Sequence, residues 1–376
     1  MMFARIVFIV ASCLLASVTR AATAASNVVQ LDFRGLGPWA RYVARPTEHI
    51  QYSTAWATNL TAAQQANARA VVKVNPCLKT PPKYLVVDMS GGRSAARWPI
   101  SYLDEVPSGG WTDEYKTEKL VLRYIPAGSF IMGGRATDYP GAVNTNLHMV
   151  TLTKPFYIGV FECTQRQWEL AMGNRPSAFS NETCYATRPV ESISYADIRG
   201  DAKGLQWPQS AEVDSGSFMG VLRSKVGVGD FDLSTLAEWE YACRAETTTA
   251  LNSGENLSDV RICHEMDEVG RYIGNSGVVE LGDWRLLSLD LTSDSATAAV
   301  GNYIPNNWGL YDMHGNVYEI VLDGVGQEKG SVDPKGAANT TLREICGGSW
   351  NSTASGSRSG YLYSASYGNS HSQDLR

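Results

Sequence analysis

The stretch PNNWGLYDMHGNVYEIVLD, residues 305–323, is the most informative part of this chain of 376 residues. It places Asp312 and Glu319 within eight residues of each other, on either side of a turn at Gly315. Five further stretches also consist of short apolar runs separated by turn residues, in which β-branched and aromatic residues favour short strands. They are IPAGSFIMGG (125–134), VTLTKPFYIGVFECTQRQW (150–168), RPVESISYADIRG (188–200), DLSTLAEWEYACRAE (232–246) and CGGSW (346–350).

Two of these stretches predict helices that begin with a capping box. Thr164 is followed three residues later by Gln167, and Thr235 is followed by Glu238 at the same spacing. A further helix, in SGSFMGVLRSKVG, ends at Gly227. Short helices, short strands and many turns predict an α+β domain with little regular secondary structure, in which the helices surround small mixed or antiparallel sheets.

The composition is that of a globular, loop-rich protein. Hydrophobic residues make up 44% of the chain, charged residues 19%, and there are 35 glycines. Without Arg5 and Arg20, which lie in the N-terminal leader described next, 30 basic residues stand against 38 acidic ones, so the net charge is about −8. This balance argues against nucleic acid or an anionic membrane surface as the partner.

The N-terminus MMFARIVFIVASCLLASVTRAATAAS has the three parts of a secretory signal peptide. Arg5 precedes an apolar run that is too short to span a bilayer, and small residues at Ala24 and Ala25 suit cleavage. We therefore expect export to the periplasm or the medium, and no later segment predicts a membrane span. A lipoprotein anchor at Cys13 is a minor alternative, since the apolar run continues past it.

The domain organisation has three parts. Residues 1–25 form the signal peptide, 26–115 an accessory region rich in predicted strands, and 116–376 the main domain. The turn-rich stretch VPSGGWTDEY places the second boundary.

Six cysteines remain after the leader, which is far below the density of a disulfide scaffold. Their pairing cannot be chosen from sequence, and no spacing suggests a zinc site. Cys243, within a predicted helix, is interpreted as a buried small side chain rather than a nucleophile.

In their order along the chain, the six stretches resemble the formylglycine-generating enzyme family, whose domain is also called the sulfatase-modifying factor domain. The resemblance extends from Lys119 to Arg376, about two thirds of the chain. It implies a variant of the C-type-lectin-like fold, in agreement with the α+β class predicted from the residues. The accessory region lies outside it.

The resemblance also implies copper chemistry, but this chain lacks the ligands for the copper ion. Members of the family oxidise a cysteine of a sulfatase with oxygen and a copper ion held by two cysteine thiolates after the GGS turn. The matching positions here are Ser352 and Ser357, and a hydroxyl cannot replace a thiolate on the soft Cu(I) ion. Cys346 precedes the turn and is interpreted as buried or disulfide-bonded. We therefore expect no catalytic residues and no copper.

A calcium site is the second implication of the resemblance. The matching positions in the family hold Ca²⁺ through the side chains at Asp312 and Glu319 and the backbone carbonyls of Gly315 and Val317. Such oxygen donors suit a hard cation, whereas His314 suits a hydrogen bond or the surface. The alternative is a tight turn with solvated carboxylates.

The segment from Trp350 to Ser372 is rich in Ser, Tyr, Gly and Asn, as antibody paratopes are. It resembles the segment that is diversified for binding in the variable proteins of diversity-generating retroelements, which share the fold. We expect it to bind a protein or glycan ligand, and the alternative is a degenerate polar loop. The predicted ligand-binding residues are Ser349, Trp350, Asn351, Arg358, Tyr361 and Tyr363.

Three functions remain open from sequence. The preferred one is an exported, calcium-stabilised binding module without copper-oxidase activity. The others are an oxidoreductase that acts on protein cysteine by a divergent mechanism, with Cys346 or another metal, and a structural accessory protein. The family closes with a strand that the ending SQDLR does not match, so we also expect the last strand to be missing or short.

Overall fold

The computed structural model describes residues 81–277, 296–326, 330–337 and 341–366. Contacts divide the chain into two units, Met1–Pro82 and Lys83–Arg376. The predicted signal peptide, Cys13, Cys77 and the accessory region up to residue 80 lie outside the described residues. Only the second unit is described below.

Short strands and short helices alternate along the second unit. The strands are β1 (Tyr84–Asp88), β2 (Ile100–Leu103), β3 (Lys119–Ile125), β4 (Gly128–Gly134), β5 (Thr145–Leu152), β6 (Phe156–Gly159), β7 (Gly270–Arg271), β8 (His314–Gly315), β9 (Glu319–Gly324), β10 (Leu342–Cys346) and β11 (Tyr363–Ser366). The α-helices are α1 (Glu114–Thr117), α2 (Gln165–Met172), α3 (Tyr195–Arg199), α4 (Phe218–Val226), α5 (Leu236–Arg244) and α6 (His264–Val269).

The largest sheet is antiparallel and has the strand order β2-β1-β3-β6. Its strands β1 and β2 come from the region that the sequence analysis assigned to the accessory segment, and β1 pairs with β3 from Tyr84↔Arg123 to Asp88↔Lys119. The compact unit accordingly begins at Lys83.

The described residues form three smaller sheets as well. Strands β4 and β5 form an antiparallel hairpin, β7 and β8 form a short parallel pair, and β9, β10 and β11 form an antiparallel sheet with β10 in the centre. The α+β class with small sheets and short helices is confirmed. A C-terminal strand is also present, because β11 pairs with β10 from Tyr363↔Ile345 to Ser366↔Leu342.

The predicted capping boxes are confirmed at α2 and α5. In α5, the Thr235 side chain accepts from Glu238 N at 3.2 Å, and Glu238 Oε2 accepts from Thr235 N at 2.8 Å. α4 ends at Gly227, whose φ of 75° is the left-handed conformation that favours glycine.

Apolar helix faces pack onto the sheets to form the core. Trp168 of α2 stacks on Phe218 of α4, with ring centroids 5.1 Å apart. Trp239 of α5 is buried in a neighbouring cluster with Ile125 and Cys346. No helix in the part of the chain described here is long and apolar enough to cross a membrane.

Replacement of Thr235 by alanine is expected to lower the free energy of unfolding by about 1 kcal/mol, because the first turn of α5 loses its side-chain acceptor. Thr235→Ser keeps the hydroxyl and should recover most of the stability in urea denaturation. Equal losses in both variants would assign the effect to the methyl group instead of the cap.

Candidate functional site

The GGS turn follows β10. It places the serine-rich segment, residues 349–359, against the interior. Gly347 and Gly348 have φ values of 83° and 78°. A Cβ atom on Gly348 would lie 2.4 Å from Ser357 Oγ and 2.8 Å from Ser357 Cα, so only glycine permits this approach. The turn therefore holds Ser357 directly against its own backbone.

Ser352 and Ser357, the positions at which the resemblance implies the family's cysteines, are both buried and hydrogen-bonded. Ser352 Oγ accepts from Ser349 N and donates to Tyr318 Oη, each at 2.9 Å. Ser357 Oγ donates to Thr353 O at 3.2 Å. The two hydroxyls thus stabilise the turn that follows the GGS sequence.

The thiols near this turn are buried and desolvated. Burial raises the pKa of Cys243 to about 12 and raises that of Cys346 well above its ordinary value. Both side chains are 1% exposed or less. The five cysteines in the described ranges are free, so no disulfide links them. A thiol in such surroundings is a poor nucleophile.

His314 of β8 is fully buried and hydrogen-bonded, so the surface alternative for it is wrong. Its Nδ1 lies 2.7 Å from Ser357 O, and its Nε2 accepts from Asn252 N at 3.0 Å. These partners require a proton on Nδ1 and a lone pair on Nε2. Burial also lowers the pKa of His314 to about 4, so the ring is neutral at physiological pH.

Asp312 and Glu319 bring two carboxyl groups into the interior beside the turn at Gly315. Burial raises the pKa of Asp312 to about 7 and that of Glu319 to about 8, and the charge of Asp312 adds to the shift of Glu319. Asp312 Oδ2 accepts from Gly301 N at 2.6 Å, whereas its Oδ1 is buried without a hydrogen-bond partner.

The backbone at this turn winds through left-handed conformations, with φ of 57° at Asp312, 74° at Gly315 and 60° at Asn316. Asn316 Nδ2 donates to Glu162 Oε2 at 2.5 Å, and Val317 N donates to Glu162 Oε1 at 3.4 Å. Sequence reasoning missed Glu162, because nothing local to VFECT indicates a contact with residues 316–317.

These groups suit a hard cation. An unpartnered carboxylate oxygen, a second buried carboxyl and a glycine turn provide the oxygen donors that Ca²⁺ takes. Within the described residues, no group of three or more His, Cys, Asp or Glu side chains could hold a metal ion. A site here would consequently depend on backbone carbonyls as well as on Asp312 and Glu319.

The predicted ligand-binding residues are divided between the interior and the surface. Ser349 and Trp350 are 1% and 2% exposed, and Trp350 packs edge-on against Phe179. Asn351 and Tyr361 are half-buried, whereas Tyr363 is 54% exposed. The segment is therefore not a polar surface loop throughout, because its serines are small enough to pack closely and have hydroxyl partners.

Arg358 is also buried, between two tyrosine rings. Its guanidinium carbon lies 4.9 Å from the ring centroid of Tyr139 and 5.2 Å from that of Tyr361. Its Nε lies 3.3 Å from Asp138 Oδ2, and its Nη1 donates to Ser355 O at 2.7 Å. Arg358 thereby positions Tyr361 at the edge of the buried part.

Tyr318 connects the buried hydroxyls to the exposed end of the segment. Its ring stacks on that of Tyr363 with centroids 5.8 Å apart and planes 22° from parallel. Sequence reasoning missed Tyr318, although its place directly after the buried Val317 in the stretch NVYE could have indicated an outward direction.

Residues 112–373 match the family of the sulfatase-modifying factor enzyme 1-like domain, called FGE-sulfatase. This match covers more than half of the chain, and the chain therefore belongs to this family.

Two relatives of known name are similar in sequence. The chaperone protein LppX of Paenibacillus barcinonensis is 33% identical over 188 residues, 45% of this chain and 62% of LppX. The formylglycine-generating enzyme of Streptomyces coelicolor is 27% identical over 258 residues, 60% of this chain and 77% of the enzyme. The chain thus spans about three fifths of the length of LppX.

Two solved structures are similar to this chain. PvdO from Pseudomonas aeruginosa is 23% identical with a TM-score of 0.50, over 68% of this chain and 92% of PvdO. Treponema denticola variable protein 1 is 26% identical with a TM-score of 0.49, over 68% of this chain and 93% of that protein. The likeness to PvdO supports the fold and nothing beyond it.

Proposed function

We propose that this chain is a binding member of the FGE-sulfatase family that acts on a partner protein without copper-oxidase chemistry. The observation that carries the proposal is the pair Ser352 and Ser357, which provides hydrogen-bonded hydroxyls where the resemblance implies two copper-binding thiolates. A neutral hydroxyl does not hold Cu(I).

The divergent-oxidoreductase alternative has little support. It would need an accessible thiolate, and the Cys346 and Cys243 thiols are buried with raised pKa values.

A protein is the partner that the observations favour over a glycan. The relative LppX is named a chaperone protein, and chaperones bind other protein chains. The exposed end of the C-terminal segment, formed by Asn351, Tyr361 and Tyr363 together with Tyr318, offers rigid aromatic area of the kind that protein interfaces use. Arg358 packs against the ring of Tyr361, and Ser349 reaches Tyr318 through Ser352, whereas Trp350 packs against Phe179 in the interior.

The N-terminal leader supports export, with cleavage near Ala24 or Ala25. Anchoring at Cys13 stays the alternative.

We further propose that Ca²⁺ stabilises the domain. Asp312 and Glu319 would hold it with their carboxylates, and Gly315 and Val317 with their carbonyl oxygens. The unpartnered Asp312 Oδ1 supports this site, because a buried carboxylate without a counter-charge is costly. The ion would be structural.

Because residues 352 and 357 are serines and not cysteines, we can predict how the protein behaves with copper. The natural protein should not compete with a chelator for Cu(I), whereas Ser352→Cys/Ser357→Cys should gain Cu(I) binding. Ser352→Cys/Ser355→Cys, which keeps two thiols but moves one, is the matched control. Tight Cu(I) binding by the natural protein that Cys346→Ser abolishes would contradict the proposal.

The partner surface is tested by light scattering from heated citrate synthase, a client that aggregates. The natural protein should slow aggregation, and Tyr361→Ser/Tyr363→Ser should weaken the effect by about 1–2 kcal/mol in apparent affinity, since exposed tyrosines act as interface anchors. Ile304→Ser removes an equally exposed apolar side chain elsewhere, at 58% exposure, and should change nothing. The proposed partner surface is contradicted if the natural protein does not slow aggregation. It is also contradicted if Ile304→Ser weakens the effect as much as the double tyrosine variant does.

The raised pKa values predict how calcium and pH act together. With EDTA, these two carboxyls contribute most to stability below their ordinary pKa values of 3.8 and 4.5, and this contribution is lost as the pH rises to about 7 to 8, because unfolding releases the carboxyls to ionise in water. Calcium should raise the melting temperature at pH 8 and have little effect at pH 5.

Asp312→Asn and Glu319→Gln should each reduce both effects, whereas Asp230→Asn, at an exposed carboxylate, should leave them unchanged. A melting temperature at pH 8 that is the same in calcium and in EDTA would remove the site.

A further inference from the structure

The hairpin of β4 and β5 presents an apolar face to solvent. Successive side chains of a strand point to opposite faces of its sheet, and Val150 and Leu152 point to the interior, where they are buried. The other face carries four apolar side chains with exposed fractions between 36% and 57%, namely Ile131, Leu147, Met149 and, from the residues that adjoin β5, Val332. Exposed apolar side chains that lie together in this way indicate an interaction surface.

The edge of β5 has backbone groups that no strand pairs with. Thr151 N donates to Ser331 O at 2.7 Å, and Asp333 N donates to Thr151 O at 3.0 Å, so the backbone groups of Thr151 face away from β4. Alternation along the strand turns the N–H and C=O groups of Met149 and Leu147 to the same side. None of the residues that the structure describes forms a hydrogen bond with them there. The sheet therefore has an open edge from residue 147 to residue 149.

β5 carries neither of two residue types that protect edge strands. Lysine and proline discourage a further strand from pairing, and the sequence of β5, TNLHMVTL, contains neither. The register of the hairpin shifts between Met132 and Gly134, and Asn146 has a φ of 50°, so the regular edge begins after Asn146. Because residues 331–333 already occupy the edge at Thr151, the length that stays free fits one short extended segment.

The hairpin lies directly beside the C-terminal segment that carries the tyrosine surface. A Cβ atom on Gly360 would lie 2.7 Å from Gly133 C, so the two backbones are in contact. A Cβ atom on Gly134 would lie 3.7 Å from Arg358 Nη2, the side chain that packs against the ring of Tyr361. The open edge and the tyrosine surface are therefore neighbours, and one partner protein can contact both.

We propose that β5 receives an extended, apolar segment of the partner protein as an added strand. The N–H and C=O groups of Leu147 and Met149 hold the backbone of this segment, and the outward apolar side chains contact every second side chain of it. The outward residues of the hairpin carry no charge, so an uncharged segment is complementary to them. Proteins that are unfolding expose such segments. This inference rests on the proposed function, since it names the part of a partner protein that the chain binds.

Hydrogen exchange, followed by NMR on the full mature chain, tests the pairing directly. The probe is carboxymethylated α-lactalbumin, which is unfolded in solution. The amides of Leu147 and Met149 should exchange about tenfold more slowly with the probe present, because an added strand takes their hydrogens. The amide of Val106, an exposed residue outside the hairpin, should exchange at the same rate with and without the probe. Unchanged exchange at residues 147 and 149 in the presence of the bound probe would overturn the proposal.

Two variants separate the contribution of the backbone from that of the side chains. Met149→Pro removes an N–H that the hairpin does not use, and proline is tolerated at such a position of an edge strand. Leu147→Lys/Met149→Lys keeps the backbone groups but places two charges on the apolar face. Each should raise the concentration that halves citrate synthase aggregation by about tenfold. The matched controls Val106→Pro and Ile304→Lys alter exposed residues outside the hairpin and should leave that concentration unchanged.

The outcomes distinguish this inference from the proposed function. If the natural protein does not slow aggregation, the proposed function fails and the inference fails with it. If the natural protein slows aggregation and both hairpin variants do so equally well, only the inference fails. It is also overturned if Met149→Pro dissociates a dimer of the natural protein in sedimentation without weakening protection, because the edge then pairs with a second copy. Circular dichroism verifies folding, and the double lysine variant, which alters only exposed side chains, decides the matter if Met149→Pro does not fold.

Discussion

Three segments of the domain meet at the turn around Gly315 with no room for side chains between their backbones. A Cβ atom on Gly315 would lie 2.0 Å from Arg271 O, and one on Gly270 would lie 1.9 Å from His314 O. Gly315 N donates to Gly347 O at 2.7 Å, so the GGS turn joins the same junction. Because only glycine permits this approach, the positions of the buried carboxyls and of the serine-rich segment both depend on it.

The contacts at this junction are made by backbone atoms. They do not require the residues that perform the family's chemistry. Ser352 and Ser357 keep the turn after Gly348 through their own hydrogen bonds, and Trp350 N donates to Asn316 O at 2.8 Å. Serines at the two positions where the resemblance implies thiolates are therefore compatible with the fold, and family membership does not decide the activity.

Structural features that depend on a few neighbouring residues could be predicted from the sequence. Features that depend on residues far apart in the chain could not. The capping boxes at Thr164 and Thr235 depend on residues three apart, and both are present. The burial of Ser357 depends on Gly348 and on β10, so a composition rich in serine suggested a surface instead.

The ligand atoms in the interior suit a hard cation better than a soft one. Two thiolates are soft, charged ligands, and a soft ion compensates their charge. Two hydroxyls in their place are neutral, so hydrogen bonds alone are enough to satisfy them. The carboxyls of Asp312 and Glu319 remain buried, and burial raises the pKa of each because the charged forms lack solvation. Under the proposed function, the interior holds a hard cation and no copper, and that cation stabilises the junction on which the partner surface depends.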